Sequence, residues 1–486
     1  VKIFKSILIL TLIIYSTFSC RKENFITSGS ARLNFSADTV TFDTIFTYIG
    51  STTKNFRIYN PHNQPINVSA IYLAGGQNSF FRINIDGDIS GNVTNIEIPS
   101  KDSLYIFVEV TIDPFGVNNP MIVKDSIVFI TNGNYQDIKL IAFGQDVHLI
   151  NGEIIESQNW TADKPYLIYN SMAIDTGQIL TINEGTKIYM HDRSSLIVWG
   201  QLIINGTKDD PVILQGDRID ENFYDSIAGQ WGTIYIDPVS TGNEINYAII
   251  KNSIAGIQIG YPTDDKIPSL QLKNTIIQNV SFIGIYAFNA DITAYNCIIA
   301  DSKDYSIALL KGGNYNFYHC TINNRGLRWE TRTTDQSVAV TNEIDNPEID
   351  STGKNIEYVK RKGDLEAANF ANCIINGNRE NEIVFRDNGE NLFNYKFDHC
   401  LIKVNPDSVD ADNSEHFNNC IFNEDPKFKN DYSRMNYDFQ LDTLSPAKDA
   451  GSSEITDKYD FLEFDYNGTP RNTDHAPDIG AFERLE

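Results

Sequence analysis

Five of the six cysteines in this chain sit in one recurring four-residue phrase. It reads Asn296-Cys297-Ile298-Ile299, His319-Cys320-Thr321-Ile322, Asn372-Cys373-Ile374-Ile375, His399-Cys400-Leu401-Ile402 and Asn419-Cys420-Ile421-Phe422. The cysteines are 23, 53, 27 and 20 residues apart. Two earlier phrases, Tyr247-Ala248-Ile249-Ile250 and Asn274-Thr275-Ile276-Ile277, align with them and lead in at steps of 27 and 22 residues. Such a period marks a solenoid, whose repeats bury their apolar face only by stacking on neighbours. Because Ala248 and Thr275 occupy the cysteine slot, the slot asks for a small buried side chain, and the thiols point inward. The Asn or His opening each phrase is expected to stack along the solenoid axis through its side chain.

The rest of the chain supports an all-β fold. Ile, Val, Asn, Thr, Tyr and Phe occur in short runs broken by Gly, Asn and Asp. Residues 31–146 carry about seven short alternating runs, among them Asn55 to Tyr59, Ile66 to Ile71 and Leu104 to Val110. That density predicts an immunoglobulin-like β-sandwich. Residues 147–424 are expected to form the solenoid and residues 425–486 a cap that shields its last coil. In the 53-residue step, Val338-Ala339-Val340 supplies the missing coil. Residues 343–366 leave it as an excursion bearing Asp345, Asp350, Lys360, Arg361 and Lys362. Long excursions of this kind are often functional.

The formal net charge of −25 repels phosphate backbones and argues against nucleic-acid partners. No cofactor is called for, and calcium is the one metal that abundant carboxylates could hold. At the N-terminus, Lys2 and Lys5 precede an apolar run from Ile7 to Phe18, too short to span a bilayer, which needs about 20 residues. The run ends at Thr17-Phe18-Ser19-Cys20. This resembles a bacterial lipoprotein signal, which implies removal of residues 1–19, acylation of Cys20, and a tether over residues 20–30. The implied location is the cell envelope, with the chain lipid-anchored to an outer membrane. Five cysteines then remain, an odd number that argues against a fully paired disulfide framework.

Further resemblances follow from local phrases. Phe56 to Pro61 and Ala142-Phe143-Gly144 are similar to the early Asn-Pro turn and late strand of abnormal-spindle/hydin-type Ig-like modules, which are mostly spacers or binding platforms. Ile179 to Tyr189, Leu196 to Thr207 and Asp210 to Leu214 resemble the opening turns of right-handed parallel β-helix proteins of the pectate-lyase-like class. Pro477-Asp478-Ile479-Gly480-Ala481-Phe482-Glu483, with Asp465 and Arg471 upstream, resembles the C-terminal motif of secreted β-helix lipoproteins of Bacteroidota. Arg471 is expected to pair with Asp465, Asp478 or Glu483. Repeated Asp-Ser/Thr-apolar triplets, such as Asp43-Thr44-Ile45 and Asp225-Ser226-Ile227, resemble the O-glycosylation sequon of that phylum and equally suit strand starts.

Chemistry is thinly written. Arg325, Arg328, Trp329 and Arg332 form one candidate ligand-binding group, by bidentate carboxylate contacts and ring stacking on an acidic sugar. The same residues also suit a covered solenoid face with neutralised acids. Asp217, Asp220, Glu221 and Asp225 form a second group, placed to act as acid and base or to hold calcium. The seven histidines show no metal spacing, and no catalytic residue is assignable. The fold class alone allows an enzyme by analogy only. The leading expectation is a non-catalytic envelope lipoprotein whose solenoid face binds a glycan or a protein partner. The alternatives are a polysaccharide lyase or glycosidase acting on an acidic polysaccharide, and a structural subunit of an outer-membrane assembly.

Overall fold

The computed structural model describes residues 24–485, apart from 115, 117–120, 220–222, 334–335, 350–355, 406, 408 and 431–437. Cys20 with the whole signal segment, and Asp220, Glu221, Asp350 and Ser408, lie outside the described residues. The chain is all-β and divides into two compact units between Asp146 and Val147.

In the first unit, four strands (Asn34–Phe35, Lys54–Tyr59, Ser103–Val110 and Phe81–Ile85) form one sheet. Five others (Thr39–Phe46, Asn134–Gln145, Met121–Thr131, Ile66–Leu73 and Asn92–Ile98) form a second. Both sheets bury alternate side chains in one shared core that includes Phe42, Phe56, Val68, Phe81, Val108 and Phe129. Asn60 explains the Asn-Pro turn. Its buried amide donates to Gln64 O, Ile98 O and Pro99 O at 2.8, 3.1 and 2.9 Å, and its Oδ1 accepts from His62 N at 3.0 Å.

The second unit is built on one parallel network of 26 strands. Strands pair chiefly with the equivalent strand one coil before and one coil after, a pattern consistent with a β-helix. The pairings trace three faces. Outward residues of the first run Ile213, Ile249, Ile276, Ile298, Thr321, Ile374, Leu401, Ile421. Those of the second run Ala173, Ile197, Tyr235, Gln258, Tyr286, Ala308, Ala339, Val384. Those of the third run Thr181, Ile203, Glu244, Gln271, Thr293, Asn316, Asn369, Lys396. Intervening residues point in and fill a continuous core.

The cysteine phrase is the corner between third and first faces. Its opening residue has positive φ in all seven coils, from 46° at Asn274 to 53° at Asn296 and Asn372. Asn tolerates this left-handed conformation better than other non-glycine residues, which is why it recurs there. The next residue turns inward, so Cys297, Cys320, Cys373 and Cys400 are fully buried and unpaired as disulfides. Burial pushes the Cys297, Cys373 and Cys400 thiols well up. The corner side chains do stack. Asn296 Nδ2 donates to Asn274 Oδ1 at 3.0 Å, Asn372 Nδ2 to His319 Nε2 at 3.0 Å, and Asn419 Nδ2 to His399 Nε2 at 3.2 Å. Inside the core, Phe317, Phe370, Phe397 and Phe417 form a stack of near-parallel rings with centroids 4.7, 4.9 and 5.3 Å apart.

The C-terminal segment differs from expectation. Its described part lies along the flank of the stack and covers the first face. Phe428, Phe439, Leu441, Ala447, Ile479 and Ala481 pack on Ile298, Ile374 and Leu401. Gly480 N donates to Asn372 O at 2.8 Å, and Tyr247 Oη to Tyr466 O at 3.1 Å. Gly480 has φ 105°, and a Cβ there would meet Ile374 Cδ1 at 2.8 Å, so the docking requires glycine. The reason is hydrophobic. The third residue of each phrase points outward, and a column made mostly of isoleucines must be covered. Arg471 is fully buried here, its Nη2 donating to Asn296 Oδ1 at 2.8 Å and Nη1 lying 3.4 Å from Glu483 Oε2.

Candidate functional site

The three faces differ in what solvent meets. The first is covered. The third is mostly polar, with Asn369 Nδ2 donating to Asn316 Oδ1 at 2.9 Å in a solvated ladder. The second carries aromatic and small apolar side chains and is walled by loops on both edges. Ile283, Ala308 and Ala339 are buried there beneath half-buried Phe282, Tyr286, Tyr305, Leu310 and Val384.

One wall is the excursion after Thr341. Val338–Thr341 supplies a coil strand, and Glu343–Ile349 and Ile356–Lys362 then form an antiparallel hairpin. Between hairpin and face lies a groove of about 400 Å³, a size at the low end of ligand sites. Tyr286, Phe288, Tyr305, Ala339 and Val384 line it on the face side, and Glu343, Asp345, Asn346 and Arg386 supply polar atoms. Burial pushes the Tyr286 hydroxyl up, so it stays protonated. Lys360 Nζ contacts Glu343 Oε1 at 2.7 Å, Lys362 Nζ contacts Glu390 Oε2 at 2.7 Å, and Arg361 pairs with Glu348. Below the groove, Lys311, only 3% exposed at its side chain, reaches Asp265 Oδ1 at 2.7 Å and fixes the loop bearing Pro262.

The opposite edge holds both groups singled out from sequence. The structure brings their loops together, since Trp329 Nε1 donates to Ser226 Oγ at 3.3 Å and the Phe223 ring lies 6.0 Å from Trp329. Trp329 is 58% exposed with the Arg328 guanidinium 4.8 Å from its ring. Arg325 is half-buried. Arg332 departs from the ligand-binding expectation. It is buried, and its Nη1 donates to Glu382 Oε2 at 2.9 Å and Oε1 at 3.0 Å, with both side chains wholly inaccessible. The guanidinium is consumed by a carboxylate that is 50 residues away in sequence. Asp225 is held by Lys251 and Asp217 by His191, so these two acids are committed separately. Among the described residues no group of three or more His, Cys, Asp or Glu side chains is placed to hold a metal ion. Ser226 of one glycosylation-like triplet is buried and donates to Phe223 O at 2.7 Å. Asp43, Asp102 and Asp125 each accept from the following backbone N–H, which is turn chemistry.

Sequence reasoning missed two sets. Tyr286 and Phe288 alternate with Ile285 and Ala287, a signal that both surfaces of the strand are apolar. His191 and Tyr169 stack at 3.8 Å in neighbouring coils, and Asp217 completes the column. His191 Nδ1 lies 2.7 Å and Tyr169 Oη 3.5 Å from Asp217 Oδ2. Burial raises the Asp217 carboxyl against the lowering effect of His191.

No family model matches the chain, and no curated protein matches it. Solved structures similar to parts of it include the following two. One is the E. coli chaperone DraB, at 12% identity and a TM-score of 0.17, covering 23% of this chain and 54% of that one. The other is a family 123 glycoside hydrolase from Clostridium perfringens, at 8% identity and a TM-score of 0.18, covering 24% of this chain and 28% of that one.

Proposed function

We propose that this chain is a lipid-anchored envelope protein of Bacteroidota type that holds a glycan on the open face of its solenoid and performs no chemistry on it. In this reading Cys20 carries the acyl chains, the first unit is an immunoglobulin-like spacer, and the second is a right-handed parallel β-helix. The observation that carries it is the inequality of the three faces. One is covered by the C-terminal segment, one is polar, and one presents half-buried aromatic rings in a walled groove. Apolar rings beside convergent hydroxyl, amide and carboxylate groups are what stacking on a sugar ring and bonding its hydroxyls require.

The test is binding and turnover of a polysaccharide panel by the purified full chain, with and without calcium. Retention of a glycan with no released reducing ends or unsaturated products supports the reading. Cleavage at enzyme-like rates contradicts it. A second reading, a glycosidase or lyase, is favoured by the Tyr169–His191–Asp217 column. A carboxyl raised by burial and touching an imidazole suits acid–base work. That reading requires turnover that Asp217→Asn abolishes.

A further inference from the structure

The chain buries Trp160 and Trp231 in the solenoid core, but it leaves Trp329 58% exposed with Phe223, 51% exposed, beside it. Leaving such rings in water forgoes a large burial gain. A loose loop does not account for it, because the loop bearing Trp329 is fixed at several points. Arg332 holds it from below through the wholly inaccessible Glu382. Glu330 pairs with Lys303, and Thr333 N donates to Lys303 O at 2.9 Å. The indole itself is oriented, since Nε1 donates to Ser226 Oγ at 3.3 Å and that hydroxyl donates to Phe223 O at 2.7 Å. Arg328 braces one side of the ring, its guanidinium 4.8 Å from the centroid. The fold therefore presents these two rings in a fixed pose, the condition a stacking contact with a ligand requires.

Resting on the glycan-binding reading above, we infer that Trp329 and Phe223 form a second subsite for the same ligand. A saccharide chain seated in the hairpin groove crosses the second face and stacks a distal sugar on Trp329. The surface between the two edges is continuous and aromatic. Phe288 and Tyr286 line the groove. Their rings lie 4.5 Å apart, and the Tyr286 ring lies 5.5 Å from Phe282 at the other end of the strand. Phe282 stands at the corner from which the tryptophan loop rises. Asp304 N donates to Phe282 O at 3.0 Å, and the adjacent Lys303 is the partner of Glu330, next to Trp329. Tyr305 of the same corner packs on the apolar cluster of the face. Phe282 to Phe288 spans roughly 20 Å of extended chain, longer than a disaccharide. The ligand thus runs along the strands and across the solenoid axis, with one end under the hairpin and the other on the indole.

The experiment is calorimetric titration of the purified full chain, and of its Trp329→Ala and Trp329→Phe variants, with the di- and hexasaccharides of the cello-, manno-, xylo- and galacturonate series. In a series that binds, the native chain should hold the hexasaccharide more than tenfold tighter than the disaccharide. Trp329→Ala should lose at least tenfold for the hexasaccharide and keep the native affinity for the disaccharide and the native melting temperature. Trp329→Phe keeps a ring and should recover part of the loss, which a merely misplaced loop would not explain. Native hexasaccharide affinity in Trp329→Ala, or equal losses at both lengths, overturns the inference and leaves the glycan-binding reading standing. Binding of no saccharide in any series overturns both.

Discussion

The buried pair Arg332–Glu382 decides between two readings of the tryptophan-bearing loop, and Arg332→Met is the variant that separates them. Methionine keeps the unbranched stem and deletes the guanidinium. The deletion removes the donor to Glu382 Oε1 and Oε2 and to Asn324 O at 3.0 Å. Glu382 keeps Ser337 Oγ and Arg379 N as donors, but its charge is then uncompensated in a fully buried position. Breaking a buried pair from one side costs about 3–5 kcal/mol. In a unit of this size that corresponds to a fall in Tm of roughly 4–7 °C. The sign of the pH effect is fixed. Burial already raises the Glu382 carboxyl above its ordinary value, and loss of Arg332 raises it further. The folded state then holds a proton that the unfolded state has released, so the penalty grows as pH rises above the ordinary carboxylate range. Thermal unfolding of Arg332→Met at pH 5 and pH 8 should show the larger loss at pH 8, and Arg332→Met/Glu382→Gln should recover most of it. The reasoning is refuted if Arg332→Met melts within about 1 kcal/mol of the native chain at both pH values. A loss of glycan affinity without a loss of stability would make Arg332 a ligand contact instead.

Three further outcomes are expected. The thiols of Cys297, Cys320, Cys373 and Cys400 should resist an aromatic disulfide reagent in the native chain and react on unfolding, because they are buried and sulfur is incidental to their slot; rapid native labelling would contradict this. Glu483 is pushed up to about 8 and Asp478 to about 6, chiefly by burial. Both sit above their unfolded values, so the flank segment should lose stability as pH climbs from about 5 to 9; limited proteolysis of the C-terminal segment should rise across that window and flatten in Glu483→Gln. Cys20→Ala should abolish metabolic incorporation of a clickable fatty acid and release the chain from membranes; unchanged incorporation would place any acyl group elsewhere.

The ladder was legible because its constraints are local. A left-handed corner favours Asn, the following inward slot favours a small side chain, and two apolar residues then point out and in. The same phrase also held a missed signal. If both isoleucines of Asn372-Cys373-Ile374-Ile375 are apolar, the outward one needs a cover, and the C-terminal segment supplies it along the flank. A residue pattern does not distinguish a closed end from a covered side, since both ask for apolar contacts. Phe317, Phe370, Phe397 and Phe417 each precede a ladder cysteine by three residues, so the ring stack was readable from spacing. Arg328 and Arg332 were not separable. One is exposed and the other buried because Glu382 arrives from another coil, and nothing near either arginine announces it. The groove was half legible. The excursion at 343–366 was visible as an insertion, whereas its partner face is spread over strands as short as three residues.

The central claim is that the second face, beneath the hairpin, holds the ligand. Hydrogen–deuterium exchange of the full chain, with and without a saturating hexasaccharide, tests it directly. Slowed exchange should concentrate in residues 261–268, in Glu343–Ile349 and in Ile356–Lys362, the loop and hairpin that wall the groove. Protection confined to the third face or to the first unit, with these segments unchanged at saturation, would contradict it.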